Sequence, residues 1–256
     1  MSIQYVRPKS ISEALELLSA PPSIPLAGGT LVNIPDFKQK YIQQSGVSSF
    51  TLVDLQSLGL DQIKKHGDTL EVDACVTLQT LYDNPHTSEN LKQAIKLEAP
   101  LNIRNAATVA GSLIASDGRS PFATVLLAMD TKMFTKPNDE ELFLGNYLPM
   151  RSLLHPGRLI TKISIPLNSN LSFEYASRTK YDRPIVCVAL AQWKSGRTRL
   201  ALGGYGAAPL LALDGSADDD IKSAARNGYH EAADKWASAE YRADVAATLA
   251  GRCVNK

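Results

Sequence analysis

The apolar residues of this chain fall into short runs whose period keeps switching between helical and extended. Ile11, Ala14, Leu15 and Leu18 lie at helical spacing, and Ser10 with Glu13 forms a capping-box pair ahead of them. Pro21-Pro22 ends that run, and Ile24 to Ala27 then reads as extended. Phe50 to Leu55 is a second strand candidate. Ile63 to Lys65 and Thr69 to Val72 flank the turn-forming trio His66-Gly67-Asp68, which predicts a hairpin. Short helices are expected at Thr77 to Tyr82 and Ser88 to Leu97, the second bounded by Pro100. This alternation of strands with helices predicts a mixed α+β unit.

Further along, Thr108 to Ser116 is small, apolar and β-like, with Gly111 inside it. Ser120 is a good N-cap and Pro121 a good first helical residue, so a helix is expected through Val125, Leu126, Leu127 and Met129. Strands at Thr131 to Phe134, Glu141 to Leu144 and Leu159 to Ile165 complete the unit. Pro166 to Asn170 is the expected domain boundary. Beyond it, Leu171 to Ser177, Ile185 to Trp193 and Arg197 to Leu202 predict a three-stranded meander, with Ser195-Gly196 at its second turn. Two helical stretches follow. The last begins near Ser238, with Tyr241, Val245 and Leu249 recurring every four residues and Cys253 extending the stripe as a buried thiol.

The formal charge of +1 gives no pull toward nucleic acid or an anionic membrane. No apolar run approaches the ~20 residues needed to span a bilayer. The opening residues lack the apolar stretch of a secretory signal, so the expected compartment is the cytoplasm. Cys75, Cys187 and Cys253 are scattered, whereas an iron–sulfur cluster or structural zinc needs about four clustered ligands. The four histidines, His66, His86, His155 and His230, are equally isolated, so no metal site is expected. Asp218-Asp219-Asp220 reads as the solvated start of a helix rather than a cation loop.

Two glycine-bearing segments carry the chemistry. In Ala27-Gly28-Gly29-Thr30-Leu31 a strand runs into paired glycines and a hydroxyl residue. Glycines let a backbone approach a phosphate closely and aim successive N–H groups at it. Thr108-Val109-Ala110-Gly111-Ser112 has similar grammar. Neither fits the Rossmann or P-loop pattern, and no nucleophile elbow is present. A dinucleotide held here would sit on a different fold.

Several blocks in order resemble the flavoprotein subunits of molybdenum hydroxylases, of the carbon-monoxide and xanthine dehydrogenase type. They are Tyr5 to Ser10 with Glu13-Ala14-Leu15, the segment Leu26 to Thr30, Ile103 to Leu113, Leu126 to Asp130, Pro156 to Ile160 with Ile165-Pro166, Arg199 to Gly204 and Glu240 to Arg242. The resemblance covers nearly the whole chain. It implies a two-subdomain FAD-binding fold of the vanillyl-alcohol-oxidase (PCMH) type over residues 1–167, divided near residue 55, and then a small α+β C-terminal domain over 168–256 with a three-stranded antiparallel sheet. It implies that both segments hold the FAD pyrophosphate and ribityl chain through backbone N–H groups. Asp117 is either a flavin contact in place of the usual acid or a plain loop residue, and Ile160 is either an apolar wall for the isoalloxazine ring or a buried strand residue. Electrons would come from a molybdopterin subunit through a [2Fe–2S] subunit to FAD, and then pass to NAD, a quinone, ferredoxin or oxygen. No side chain of this chain is expected to be catalytic.

Three positions depart from the resembled pattern. Ala110 stands where a glycine is usual, Pro121 where many members carry an acid, and Glu174 where xanthine dehydrogenases carry a lysine. These favour a competing reading, a flavin-free scaffold of the same kind of complex. A stand-alone FAD oxidoreductase of the same fold is the third reading, and Tyr205, Lys180 and Asp182 are too plain as turn and surface residues to serve it.

Overall fold

The structure, a computed structural model, describes residues 2–20, 22–34, 49–150, 157–216 and 219–255. Strands β1 (Ser2–Val6), β2 (Ser23–Leu26) and β3 (Ser49–Asp54) form a parallel sheet in the order β1-β3-β2. Helix α1 (Ile11–Ser19) connects the first two. Its capping box is present with a shifted return bond. Ser10 Oγ accepts from Glu13 N, and the Glu13 carboxylate accepts from Lys9 N at 2.8 Å.

The second sheet is antiparallel, in the order β4-β5-β8-β6-β7. Its strands are β4 (Ile63–His66), β5 (Thr69–Asp73), β6 (Lys132–Lys136), β7 (Glu140–Phe143) and β8 (Leu159–Pro166). Gly67 has a φ of +57°, as the hairpin turn between β4 and β5 requires. Between β5 and β6 run α2 (Leu78–Asp83), α3 (Glu89–Glu98), α4 (Leu101–Arg104), α5 (Val109–Ala115) and α6 (Pro121–Ala128). Helix α7 (Leu144–Met150) follows β7.

The third sheet holds β9 (Ser169–Ala176), β10 (Val186–Trp193), β11 (Arg197–Gly203) and β12 (Leu210–Ser216), antiparallel throughout. It is covered by α8 (Ile221–Asn227) and α9 (Ala239–Val254). Strand β10 is apolar almost end to end because both its faces are buried. Cys187, Ala189 and Ala191 share a core with α6, while Val186, Val188 and Leu190 share one with α9. Every residue of α6 is buried, so this helix joins the second sheet to the third. No described helix is long and apolar enough to cross a membrane.

Three expectations need correction. The β-like stretch Thr108 to Ser116 is helix α5, with Thr108 as its N-cap. The C-terminal sheet has four strands; the fourth, β12, is a half-buried edge that leaves little alternation to read. In α9 Tyr241 is 48% exposed, and the fully buried residue beside it is Arg242. A four-residue step overshoots a turn by about 40°, so a strict i+4 stripe drifts off the core face. Arg242 is buried because it is satisfied: it donates to Asp234 at 2.8 Å and to the Ile185 and Ala237 carbonyls at 3.3 Å. Asp220 does cap α8 through Ser223 N at 3.0 Å, and Asp219 accepts from Ser216 N at 2.7 Å. Asp218 and His155 lie outside the described residues.

Candidate functional site

Past Leu26 the chain leaves the parallel sheet and turns, with Asn33 N donating to Gly29 O at 3.2 Å. Gly29 has a φ of +67°, which side-chain-bearing residues rarely adopt. Gly28 is required for another reason. A Cβ there would lie 1.8 Å from the Ala106 carbonyl oxygen, so the first segment is pressed against the backbone just upstream of the second. Among the described residues, the N–H groups of Gly28, Gly29, Thr30 and Leu31 donate to no protein acceptor.

The second segment is the opposite case. Val109 N donates to Val76 O at 2.8 Å, Ala110 N to Ala74 O at 3.2 Å, Gly111 N to Thr108 Oγ1 at 3.2 Å and Ser112 N to Thr108 O at 2.8 Å. From Val109 to Ser112 its amides are already satisfied by protein. Ala110 sits in a helix and is absent from the residues of positive φ, so its methyl group is unstrained.

Between the segments lies a cleft of about 380 Å³, within the roughly 300–1,000 Å³ of small-molecule sites. Ala27, Gly28, Gly29, Thr30, Leu31, Thr108, Ala110, Gly111 and Ile160 all line it. Three other expected residues do not: Val109 is in the core, Ser112 is half-buried, and Asp117 turns to Arg183, whose Nη2 donates to it at 2.8 Å. Apolar walls come from Ile24, Leu55, Ile114, Leu142 and Leu159. Sequence reasoning missed these because their spacing only marks them as core.

The cleft suits a dinucleotide. Its walls are mostly apolar, as a flat ring requires. Unclaimed N–H groups lie on one wall, and no carboxylate is among the described lining residues. Cys75 also lines it, but burial, with Asp54, Asp61 and Asp73 nearby, pushes its thiol up to about 11. It is therefore a neutral thiol rather than a nucleophile at neutral pH.

A side-chain network stands behind the first segment. Gln56 Nε2 donates to Ala27 O at 3.4 Å, Arg7 Nη2 donates to Gln56 Oε1 at 2.7 Å, and Gln56 N donates to Asp54 at 2.9 Å. Asp54 also accepts from Arg7 Nε at 2.8 Å and from the Tyr5 hydroxyl. Burial opposes its charge, but Tyr5, the Gln56 N–H and Arg7 outweigh this and hold its carboxyl below the usual carboxylate range. An acid ending a strand was the only signal of this network in the sequence.

The other two departures resolve by position. Pro121 is the first residue of α6, and the acid at that helix start comes from Glu98, which accepts from Ser120 Oγ at 2.6 Å and Phe122 N at 3.2 Å. Burial raises the Glu98 carboxyl above its ordinary value, with Arg183 opposing. Glu174 lies directly opposite Val188, whose side chain is in the α9 core. Cross-strand partners share a face, so Glu174 is on the α9 side of the sheet and not in the cleft.

The chain is 27% identical to the 6-hydroxypseudooxynicotine dehydrogenase complex subunit alpha of Paenarthrobacter nicotinovorans, over all of this chain and 94% of that protein. It is 28% identical to the nicotine 6-hydroxylase medium subunit of the same organism, over 79% of this chain and 75% of that one. The structure of quinoline 2-oxidoreductase from Pseudomonas putida 86 matches with a TM-score of 0.80 at 21% identity, covering 100% of this chain and 96% of that one. Reconstituted CO dehydrogenase from Oligotropha carboxidovorans also gives 0.80, at 24% identity, over 100% and 97% of the two chains. At these identities the two structures establish the fold. The family described as the FAD binding domain in molybdopterin dehydrogenase matches residues 1–168, more than half of the chain and the part that builds the cleft. The chain belongs to that family of FAD-binding oxidoreductase components.

Proposed function

We propose that this protein is the electron-relay subunit of a molybdopterin-dependent hydroxylase or dehydrogenase, receiving electrons from a [2Fe–2S] partner and passing them through FAD to an external acceptor. The carrying observation is that two glycine segments distant in sequence line one cleft with unclaimed N–H groups on one wall. FAD supplies the redox chemistry when bound; the chain supplies binding, orientation and exclusion of water. The N–H groups of Gly28 to Leu31 receive the pyrophosphate, and Ile160, Leu159 and Ile114 form apolar wall. Thr108 and Ala110 form the facing wall, Val109 anchors it in the core, and Ser112 continues the helix behind it. Asp117 acts by holding Arg183.

No side chain here is assigned a proton-transfer role. Tyr205, Lys180 and Asp182 do not line the cleft, which weighs against a self-sufficient oxidoreductase. The unstrained Ala110 and the outward placement of Glu174 remove two reasons for a flavin-free scaffold. Residues 1–167 would form the flavin unit and 168–256 a second domain that docks on it. The relatives named as a complex subunit and a medium subunit support a multi-subunit setting. The cytoplasm is the proposed compartment.

The test is the visible spectrum of the purified chain, before and after adding FAD and desalting. Flavin bands near one per chain are expected. A colourless, folded protein that ignores added FAD would overturn the reading. Adding NAD, a quinone, ferredoxin or oxygen in turn to the dithionite-reduced protein and following flavin reoxidation then identifies the acceptor.

A further inference from the structure

Arg158 is the one charged side chain among the described residues that line the cleft. It stands at the entry to β8, two residues before Ile160. Its Nη1 donates to Glu140 Oε2 at 2.7 Å, and the other Glu140 oxygen accepts from Asn138 Nδ2 at 3.2 Å. The two side chains are 33% and 31% exposed. A guanidinium has five N–H donors. Among the described residues, Glu140 is the only acceptor that Arg158 engages.

From this we infer that Arg158 binds the FAD pyrophosphate and that Glu140 competes with the phosphate for it, setting how tightly the dinucleotide is held. The inference rests on the cleft being the FAD site. A pyrophosphate brings two negative charges into a cleft whose other lining groups, among the described residues, are apolar side chains, hydroxyls, a thiol and backbone. An ion pair this exposed shifts an equilibrium by about fivefold at most. Charge-assisted bonds from a guanidinium to phosphate are stronger, and the planar fork can serve a phosphate oxygen while one N–H stays on Glu140. The carboxylate then sits behind the cation and subtracts from its field.

The arrangement gives an opposite-sign test. FAD dissociation constants are measured by fluorescence titration of the full chain, first freed of flavin, at low and high salt. Arg158→Gln should weaken binding about tenfold and flatten its salt dependence. Glu140→Gln should tighten it about threefold. The double variant should follow Arg158→Gln. A merely structural ion pair would move both single variants the same way, so weakening in both overturns the inference, as does an unchanged constant for Arg158→Gln. If Arg158→Gln fails to fold, Glu140→Gln decides alone: tighter binding supports the competition, and unchanged or weaker binding overturns it. A wild-type chain that does not bind FAD overturns the site reading itself and is recognised because no variant then binds.

Discussion

The two glycine segments share a grammar of small residues around a hydroxyl and yet do opposite things. In Ala27 to Leu31 the backbone is irregular, and the N–H groups from Gly28 onward have no protein acceptor among the described residues. In Thr108 to Ser112 the same kind of sequence starts a helix, and the amides from Val109 onward bond to Val76, Ala74 and Thr108. The first segment can therefore serve as a binding surface for an anion, and the second as a packed wall. Gly28 is glycine because the Ala106 carbonyl is close, not because a ligand is.

Substitutions can break that contrast. The largest effect is expected for Gly28→Val. Its side chain would drive into the Ala106 carbonyl, which belongs to backbone that cannot swing aside. We expect a loss of at least about 3 kcal/mol in stability and a colourless protein. A variant that stays yellow at unchanged stoichiometry would sink the prediction. Next is Asp54→Asn, which loosens only the network behind the first segment. We expect a cost of about 1–2 kcal/mol at neutral pH, kept low because Arg7 and Tyr5 are exposed, and weaker FAD binding. The sign with pH follows from the lowered carboxyl. The stabilisation is full above the ordinary aspartate value near ~4 and fades as pH falls through the lower folded value. Urea melts of both proteins should therefore separate at pH 7 and converge in acid.

The smallest effects sharpen the contrast most. Gly29→Ala forces a methyl-bearing residue to φ +67° and should cost about 1 kcal/mol. Gly111→Ala puts alanine in a helix, where only the Thr108 hydroxyl oxygen is near, at 2.8 Å. It should change stability by less than about 1 kcal/mol, helix propensity offsetting the shift of that hydroxyl. Equal losses in thermal melts would mean that the two segments are not different in kind.

What was legible in the sequence follows the range of the interactions involved. Ser120 and Pro121 announce α6, and Ser120 Oγ accepts from Ala123 N at 3.0 Å as a cap should. The β4–β5 hairpin was equally plain. Helix α5 was not. Seven residues, four of them Ala, Gly or Ser, carry little helical signal, and a helix so short is marginal by itself. Its start is fixed by bonds from Val109 and Ala110 to residues 76 and 74, which no local pattern contains. Strand β12 was hidden by its place at a half-buried edge, and the burial of Arg242 by acceptors on two other segments.

The sequence by itself determined the alternation of short strands and helices, most of their ends, and two glycine segments with a family's order of blocks around them. These depend on capping, turn chemistry and periodicity, which act over a few residues. Only the tertiary structure decided that residues 27–31 face one cleft with Thr108, Ala110, Gly111 and Ile114, that Asp117 and Glu174 lie outside it, and that Glu140 reaches Arg158 at its wall. Those placements depend on which sheets and helices pack together, and burial free energy, being non-directional, leaves no mark in the spacing of the residues it brings into contact.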